Sequence, residues 1–590
     1  MYNLIKTDKY LTDKYYLIKE SVIVSTIQSA KFSLKNKIEI YAMVTMSLIL
    51  FILVSYIIYI NFSYYWDFLH SDIASDLAFI REAASSFSLF PPGWAHINEM
   101  RFIYITTPAI FFYLLTGNVH VSYSLAASLM IIVNIALFYY MMSFKNRNYL
   151  AMLSGIIVLL IFFSRYGIFS TFSTLFVNAS LSTHLATVFL TLGVYLRAKY
   201  KTEAHFKGEK ILWSLTLLLA FAQGIQSTRM IVALYAPILF VELLSILRSV
   251  NDKNSRINGG GMLYALLTFL LNGLGILFVN FLTGNNTILL AEVGRTTVLN
   301  IVHSSEFIER LIRTFTGFFN ALGLSGGSEI FSTEGFTFVI RATFIFVVLF
   351  VYTKIQKDNA DKNLVDVLVV SVILNFLAQA LTFMGMGERF NFTVTSLIAV
   401  IFIISFCNVL ERIPSEKKNA KNQGAINKNT FYTSLINMIE RQNPQKCLVS
   451  GLIVILLMGT FLSINTLRVE RDPNIIEYRL SVLDFLKEEN LTVGYGYFWQ
   501  ALSVTATANW DIQVIPLHAG ITGPPIRQGV AYHDFYHNED RVFLLAPLHR
   551  IEEAYAYDWM EAILQEGQRY DFPWGWIIYI FDYNPWAHRK

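Results

Sequence analysis

The sequence predicts an α-helical polytopic membrane protein with about eleven transmembrane helices and a C-terminal α/β domain. Two observations support this fold class. Of the 590 residues, 54% are hydrophobic, the mean hydropathy is +0.47, and the apolar residues fall in runs long enough to cross a bilayer. After Ile464 the composition changes to a mixture of charged residues, Gly, Pro and short β-rich runs, which is typical of a domain outside the membrane.

The chain begins with a basic arm, residues 1–39, which contains seven lysines before the first apolar run. The arm has no early apolar core with a cleavage site, so we expect a retained arm and not a signal peptide. The positive-inside rule then places the arm in the cytoplasm and the loop after the first span, residues 40–60, outside the cell membrane.

The first outer loop, residues 61–120, is long, acidic and rich in aromatic residues. We predict a short amphipathic helix over 71–87 that stops at Pro91-Pro92, and a second helix over 98–115. The second helix could cross the membrane or lie along its outer face. If it crossed, Lys145 and Arg147 would be stranded outside, so we predict that it lies on the outer face.

The remaining spans then agree with the positive-inside rule at every loop, because the basic clusters at 145–147, 197–201, 248–256, 354–362 and 411–446 all fall on the cytoplasmic side. A loop of about fifty residues at 284–335 is predicted to lie outside. The predicted spans are 121–142, 150–163, 181–196, 211–225, 230–247, 262–281, 336–352, 364–383, 391–409 and 447–464.

The region 465–590 is predicted to form a small extracytoplasmic α/β domain. Its first helix is expected over 472–489, and strands are expected at 493–499, 542–546 and 576–581. With the arm 1–39 and the membrane domain 40–464, this gives three parts. Only two cysteines occur in the chain, so neither a disulfide framework nor a thiolate metal site is supported.

Several function classes are disfavoured by composition and motifs. The net charge of +4 is small, and its basic clusters report orientation and not nucleic-acid binding. The chain has no Walker A motif, no dinucleotide glycine fingerprint, no HExxH and no G-x-S-x-G. A donor activated as a lipid phosphate fits a membrane enzyme with outer carboxylates and arginines better than a cytosolic nucleotide donor does.

Asp72 and Asp76 are candidate catalytic residues. They are four residues apart and share one face of the predicted helix, about ten residues beyond the membrane exit. One carboxylate could act as a general base toward an incoming hydroxyl. The alternative is a solvated helix start, since the helix dipole favours acids there.

Arg229 is a candidate phosphate ligand, because an arginine between two apolar runs is costly unless it is paired or faces a ligand, and its fork of donors suits phosphate oxygens. The alternative is an arginine that snorkels from a helix end. Glu388 and Arg389 form a second pair in the outer turn GMGERFN. His184, near a third outer turn, could be a ligand, although such a histidine is more often a packing residue.

Five segments carry a resemblance to a known class: HSDIASDLAFIREA, PPGWAHINEMRFIYI, GIQSTRMIVALYAP, GERFNF and LTVGYGYFWQALSVTA. They resemble the GT-C class of polyprenyl-phosphate-sugar-dependent glycosyltransferases, and more closely a group of bacterial membrane proteins of that type. The resemblance covers most of the chain in order.

The resemblance implies an inverting transfer of one sugar from an undecaprenyl-phosphate-type donor to a cell-envelope glycan or glycolipid acceptor. By position, Asp72 matches the catalytic base, Asp76 and Glu99 match further acids, and Arg229 and Arg389 match phosphate-binding positions. The stretch GWAHINEM departs from the more hydroxyl-rich stretch of the relatives, which leaves the acceptor open. No cofactor is required, although a divalent ion at the Asp72/Asp76 face is compatible with these residues.

Two other functions remain open from the sequence. A glycolipid transporter or flippase should carry charged or helix-breaking residues near the middle of its spans, whereas here the charges favour span ends and outer loops. A non-catalytic glycan-binding membrane protein would use aromatics of the outer domain such as Tyr495, Tyr497 and Trp499, which are more typical of a core.

Overall fold

The computed structural model describes residues 40–63, 65–91, 94–96, 100–101, 103–165, 167, 170–200, 209–251, 259–285, 289–290, 301–324, 329, 331–355, 357–382, 387–412, 444–469, 474–517, 521 and 539–586. The predicted arm 1–39 and most of the basic connection 411–446 lie outside these ranges. The helices are α1 (Ile40–Ser63), α2 (Ser71–Ser85), α3 (Thr106–Thr116), α4 (Val119–Met142), α5 (Tyr149–Phe162), α6 (Ser182–Tyr200), α7 (Glu209–Gln226), α8 (Ala236–Asn251), α9 (Gly259–Gly284), α10 (Ser304–Ala321), α11 (Thr333–Lys354), α12 (Asn359–Leu381), α13 (Phe392–Arg412), α14 (Pro444–Val469), α15 (Asn474–Glu488), α16 (Phe498–Thr507), α17 (Leu548–Ala554) and α18 (Asp558–Glu566).

The bundle confirms an α-helical multi-pass membrane protein. Eight of the helices in the described part of the chain are long and apolar enough to cross a membrane: α1, α4, α8, α9, α11, α12, α13 and α14. The three other predicted spans coincide with the short apolar helices α5 and α7 and with the more polar α6. Every predicted span therefore corresponds to a helix, and eight of these meet the length and composition of a crossing helix on their own.

The second helix of the first loop is shorter than predicted. α3 begins at Thr106, not near residue 98, and its 11 residues give a length of about 16 Å, roughly half of a bilayer core. It ends at Gly117, whose backbone has a φ of 66° and whose N–H donates to the carbonyl of Tyr113. The next residue, Asn118, caps the start of α4. A glycine in the left-handed region followed by an N-cap makes this sharp corner possible.

Small residues set the closest helix packing. α7 and α9 approach so closely that a Cβ atom on Gly224 would lie 2.0 Å from the backbone oxygen of Asn272, and one on Gly275 would lie 2.1 Å from that of Phe221. Glycine at such contacts is the common way in which membrane helices bring their backbones together. The main apolar core runs through the centre of the bundle around α5, α6 and α13.

The predicted outer loop 284–335 contains a helix, α10. This helix exposes an apolar stripe at Ile308, Ile312, Phe315 and Phe319, while the buried Arg310 donates to the backbone oxygen of Gln379. α10 packs against α12 and against the 3₁₀ turn Glu388–Asn391. The long connection is thus built against the turn that carries Arg389.

The C-terminal domain is confirmed as a small α/β sheet domain. Its five strands are β3 (Val493–Tyr497), β4 (Gln513–Leu517), β5 (Val542–Pro547), β6 (Gln568–Phe572) and β7 (Trp576–Phe581), in the order β4-β3-β5-β7-β6; the labels β1 and β2 belong to the short pair Ala95–His96 and Leu289–Leu290. β3, β4 and β5 are parallel, whereas β7 and β6 join antiparallel. α15 and α16 cover one face, and α17 and α18 cover the other.

The C-terminal domain is docked on the first loop. Arg479 of α15 donates from Nη1 to the backbone oxygen of Trp66 at 2.9 Å, and from Nη2 to that of Leu69. The hydroxyl of Ser71 donates to the backbone oxygen of Phe498. An apolar cluster joins α2, α3 and α4 with Leu502 and Ala506 of α16. Helix α2 is therefore held between the membrane domain and the C-terminal domain.

Candidate active site

A cavity of about 120 Å³ opens beside the first turns of α2. Two carboxylates, Asp72 and Asp76, and three arginines, Arg101, Arg229 and Arg389, line it. The cavity thus combines acid and cationic groups from segments far apart in the chain. Its other lining residues are His70, Ile73, Tyr104, Thr174, Ser180, Leu181 and Phe390.

Irregular backbone brings these side chains together. Thr174 lies in a π-helical turn, Ser173–Val177, and Arg229 lies two residues before another, Ile231–Tyr235. Arg389 lies in the 3₁₀ turn before α13. π-helical turns inside membrane helices are frequent at functional sites, because they redirect side chains that a regular helix would bury in its packing.

Asp76 is buried in an ion pair. Its Oδ1 lies 2.8 Å from Nε of Arg101, and the exposed fractions of the two side chains are 2% and 8%. The Tyr123 hydroxyl lies 3.4 Å from Asp76 Oδ2, and Nη1 of Arg101 also donates to the Ser75 hydroxyl at 2.8 Å. A carboxylate so enclosed and compensated is suited to hold Arg101 and α2 in place.

Asp72 has a different environment. Its side chain is 32% exposed, and its Oδ2 lies 3.4 Å from Nη1 of Arg389. The reading of both acids as a solvated helix start is therefore wrong for Asp76 and incomplete for Asp72, which faces the cavity. Both acids line the cavity, and Asp72 is the more exposed of the two.

His70 caps α2 and touches Asp72. Its Nδ1 accepts a hydrogen bond from the backbone N–H of Asp72 at 3.2 Å, which requires this nitrogen to be unprotonated. Burial lowers the pKa of His70 from its ordinary value of 6.5, Asp72 opposes this and the nearby Arg389 and Arg479 add to it, so that the pKa lies at about 4. The imidazole is consequently neutral at pH 7.

This cap predicts a pH dependence of stability. Because the pKa of His70 is lower in the folded protein, the unfolded chain binds more protons between about pH 6.5 and 4, and folding stability falls as the pH drops through that window. At pH 5 the loss is about 2 kcal/mol. We expect His70→Asn, which keeps a capping oxygen but cannot titrate, to lose less stability between pH 7.5 and pH 5 than the wild type. Thermal unfolding of both proteins at the two pH values measures it; equal losses would show that His70 does not titrate as described.

Arg229 and Arg389 share one aromatic ring. Their guanidinium carbons lie 4.6 and 4.8 Å from the centroid of the Phe390 ring, which is 5% exposed. Cation–π contact can hold two arginines close together in spite of their like charge. Two guanidinium groups at one cavity form a place where an anion with several oxygens is electrostatically favoured.

Two other predicted site residues, Glu388 and His184, lie outside the cavity lining. Glu388 does not line the cavity: its Oε1 accepts from the backbone N–H of Thr171 at 2.8 Å, and its Oε2 lies 3.6 Å from Arg165, so it anchors the turn that carries Arg389. His184 is fully buried on α6 and is not part of the cavity lining. Glu99 lies outside the described residues.

Several cavity residues were not predicted from the sequence, chiefly Arg101, Tyr104, His70 and Ser180. Arg101 follows Glu99-Met100 in the same loop, and a signal existed for it: with Arg81 it is one of two arginines in a loop that carries an excess of acids. Its partner Asp76 could not be identified without the fold, since any of the loop acids would have served.

Within the described residues, no group of three or more His, Cys, Asp or Glu side chains is arranged to hold a metal ion. The carboxylates that the sequence offered as a metal-compatible face, Asp72 and Asp76, each lie against an arginine.

Comparison with solved structures defines the class of this fold. The chain has a GT-C-like fold, as the sequence predicts. In particular, it is similar to the crystal structure of ArnT from Cupriavidus metallidurans bound to undecaprenyl phosphate, with a TM-score of 0.51 over 91% of this chain and 99% of that one, at 12% sequence identity. No family model matches the sequence. No curated protein matches it either.

Proposed function

We propose that the protein is an inverting glycosyltransferase that moves a sugar from a polyprenyl-phosphate donor to a glycan or lipid of the cell envelope, on the outer face of the membrane. One observation carries the proposal: a single cavity joins a reachable carboxylate, Asp72, to two arginines, Arg229 and Arg389, in a fold shared with a glycosyltransferase structure that holds undecaprenyl phosphate. Sugar transfer from a lipid phosphate needs a carboxylate to accept the proton of the acceptor and positive charge to stabilise the departing phosphate.

In the proposed reaction, Asp72 accepts the proton of the acceptor hydroxyl while the oxygen of that hydroxyl attacks the anomeric carbon of the donor sugar. The bond between that carbon and the phosphate oxygen breaks, and its electron pair leaves with the polyprenyl phosphate. Attack opposite to the leaving group inverts the anomeric configuration. Arg229 and Arg389 offset the charge that develops on the phosphate.

The contact between Arg389 and Asp72 links the proposed phosphate-binding arginines to the proposed base. In the structure the guanidinium lies 3.4 Å from the carboxylate. A donor phosphate would compete for the same guanidinium, and its binding would draw Arg389 away from Asp72. The carboxylate would then be available to the acceptor hydroxyl only after the donor has bound, which disfavours proton transfer in its absence.

The distribution of basic residues supports an outer location for the cavity. Lys145 and Arg147, which follow α4, pair with Asp361 at the start of α12, and Lys199 near the end of α6 pairs with Glu242. These clusters lie at the end of the bundle away from α2. The positive-inside rule then assigns the α2 end and the C-terminal domain to the outside.

The direct test is transfer by purified protein in lipid nanodiscs, supplied with radiolabelled polyprenyl-phosphate sugars and an envelope-lipid acceptor fraction. We expect sugar to appear in the acceptor with inverted configuration. If the wild type transfers nothing from any lipid-phosphate donor, yet moves labelled glycolipid across a vesicle membrane, the transporter reading replaces this one.

We also expect Arg389→Gln to weaken apparent donor affinity roughly 10- to 100-fold, because it removes one charge-assisted set of hydrogen bonds to the phosphate. Donor titration in the transfer assay measures this. Arg313→Gln on α10 is the matched control, since that arginine is 63% exposed and pairs with Glu309 in the preceding turn of the helix. An Arg389→Gln variant with wild-type donor affinity would remove Arg389 from the phosphate site.

A further inference from the structure

A second cleft, of about 580 Å³, lies on the other side of α2. On α2 it is lined by Arg81, Glu82 and Ser85, whereas Asp72 and Asp76 line the first cavity. With 3.6 residues per turn, Arg81 lies about half a turn around the helix from Asp72. The cleft is therefore separate from the cavity that holds the proposed reaction, and its volume falls within the roughly 300–1,000 Å³ of small-ligand pockets.

The walls of the cleft come from three parts of the fold. Trp94 precedes β1, Tyr113 and Leu114 lie on α3, and Trp510 and Gln513 belong to the C-terminal domain. The docked C-terminal domain thus closes one side of a space that the first loop opens on the other. The indole of Trp94 is fixed, because the residue is 3% exposed and its ring lies 5.4 Å from that of Phe79, edge to face.

Trp510 is held in an unusual backbone conformation. Its φ is 68°, and that of the preceding Asn509 is 51°. A bulky residue in the left-handed region is strained, and such strain persists where the surrounding structure requires the side chain in one place. Here the indole lies under the guanidinium of Arg81, 4.2 Å from its carbon.

Two polar atoms at the cleft lack a partner. Nε1 of Trp94 and Oε1 of Gln513 are buried and make no hydrogen bond to any other described residue. A buried donor or acceptor left in this way costs about 1–3 kcal/mol, so such atoms in folded proteins usually have a partner that is not protein. One is a donor and the other an acceptor, and a hydroxyl group can pair with either kind of atom.

From these features we propose that the cleft binds a saccharide. A pyranose has apolar C–H faces that stack on aromatic rings, and a rim of hydroxyls that donate to carboxylates and accept from guanidinium and indole N–H groups. The cleft supplies both: aromatic rings at Trp94, Tyr113 and Trp510, and planar polar groups at Arg81, Glu82 and Gln513.

The lining fits other small ligands less well. Arg81 is the one cation among the lining residues, it is already stacked on Trp510, and Glu82 lies beside it, so a phosphate or other strong anion is not favoured. An acyl chain offers no donor to the buried Oε1 of Gln513. Saccharide binding in the cleft is independent of the proposed sugar transfer, since no lining residue of the cleft also lines the first cavity.

The test is saccharide binding by the full chain in nanodiscs, which avoids sugar-based detergents. A printed array of hexose, amino-sugar, uronic-acid and heptose oligosaccharides identifies the best ligand, and its affinity is then measured from the quenching of tryptophan fluorescence. We expect Trp94→Phe and Gln513→Ala each to weaken binding about tenfold, because each removes one hydrogen bond and leaves the fold intact. Tyr557→Phe, at an exposed tyrosine outside the cleft, is the control.

The outcomes separate this proposal from the proposed enzyme. Asp72→Asn should bind the saccharide as the wild type does, even if it transfers no sugar. Saccharide binding that survives both Trp94→Phe and Gln513→Ala would place the ligand elsewhere and overturn the proposal. Absence of binding across the array, or binding of acyl lipid alone, would also overturn it.

Discussion

Asp72→Asn should lower the kcat of sugar transfer by about 10²- to 10⁴-fold, the range that a positioned general base contributes. Asparagine has the same shape as aspartate but cannot accept the proton of the acceptor hydroxyl. The substitution also removes the negative partner of Arg389, 3.4 Å away. Donor affinity should therefore be unchanged or higher, so that kcat falls while the KM for the donor does not rise.

This combination distinguishes a lost base from a damaged site. Asp582→Asn serves as the control, because that aspartate is 95% exposed in the C-terminal domain. Donor titrations of the two variants and the wild type, at matched protein levels in nanodiscs, give both constants. Full transfer activity in Asp72→Asn would rule out this residue as the base.

The largest expected effect on stability comes from Arg101→Met. This change leaves Asp76 charged and buried without its 2.8 Å partner, and breaking one side of a buried ion pair costs about 3–5 kcal/mol. Replacing both partners, as in Arg101→Met with Asp76→Asn, should restore most of the loss. The apparent free energy of unfolding by chemical denaturation measures both variants.

An exposed ion pair in the C-terminal domain provides a control for the comparison of Arg101→Met with the double variant. Arg569 and Asp571 form an ion pair at 2.7 Å with both side chains at least 40% exposed. Arg569→Met should change the free energy of unfolding by less than about 1 kcal/mol, because solvent screens such pairs. If Arg101→Met were as mild as Arg569→Met, Asp76 would have to be neutral or hydrated, and its anchoring role would fail.

The sequence predicted the elements whose signals are local. α2 follows from its acidic start and from the prolines at 91–92, and β7 follows from an apolar run with its exact limits at Trp576–Phe581. In the C-terminal sheet, two strands were missed for physical reasons. β4 contains Pro516 and lies at one edge of the sheet, and β6 at the other edge is largely exposed and polar, so neither carries the pattern of a buried strand.

In the site, too, residues with a local signal were predicted and contacts between distant segments were not. Asp72 was selected from its spacing to Asp76, Arg229 from the cost of an arginine between apolar runs, and Arg389 from its place in an outer turn. The structure brings all three to one cavity. Their roles remain predictions. The pairing of Asp76 with Arg101, the cap from His70 and the anchoring of Glu388 by Thr171 depend on contacts between distant segments, which spacing in the sequence does not encode.

The docking of Arg479 on the first loop has a consequence for biogenesis. The guanidinium that holds the backbone oxygen of Leu69 is made 410 residues after it, a delay of roughly 20 to 80 s at about 5 to 20 residues per second. During that interval the contacts from Arg479 to the backbone before α2 are missing. A nascent chain can therefore carry every residue that lines the first cavity before the C-terminal domain is there to hold the start of α2.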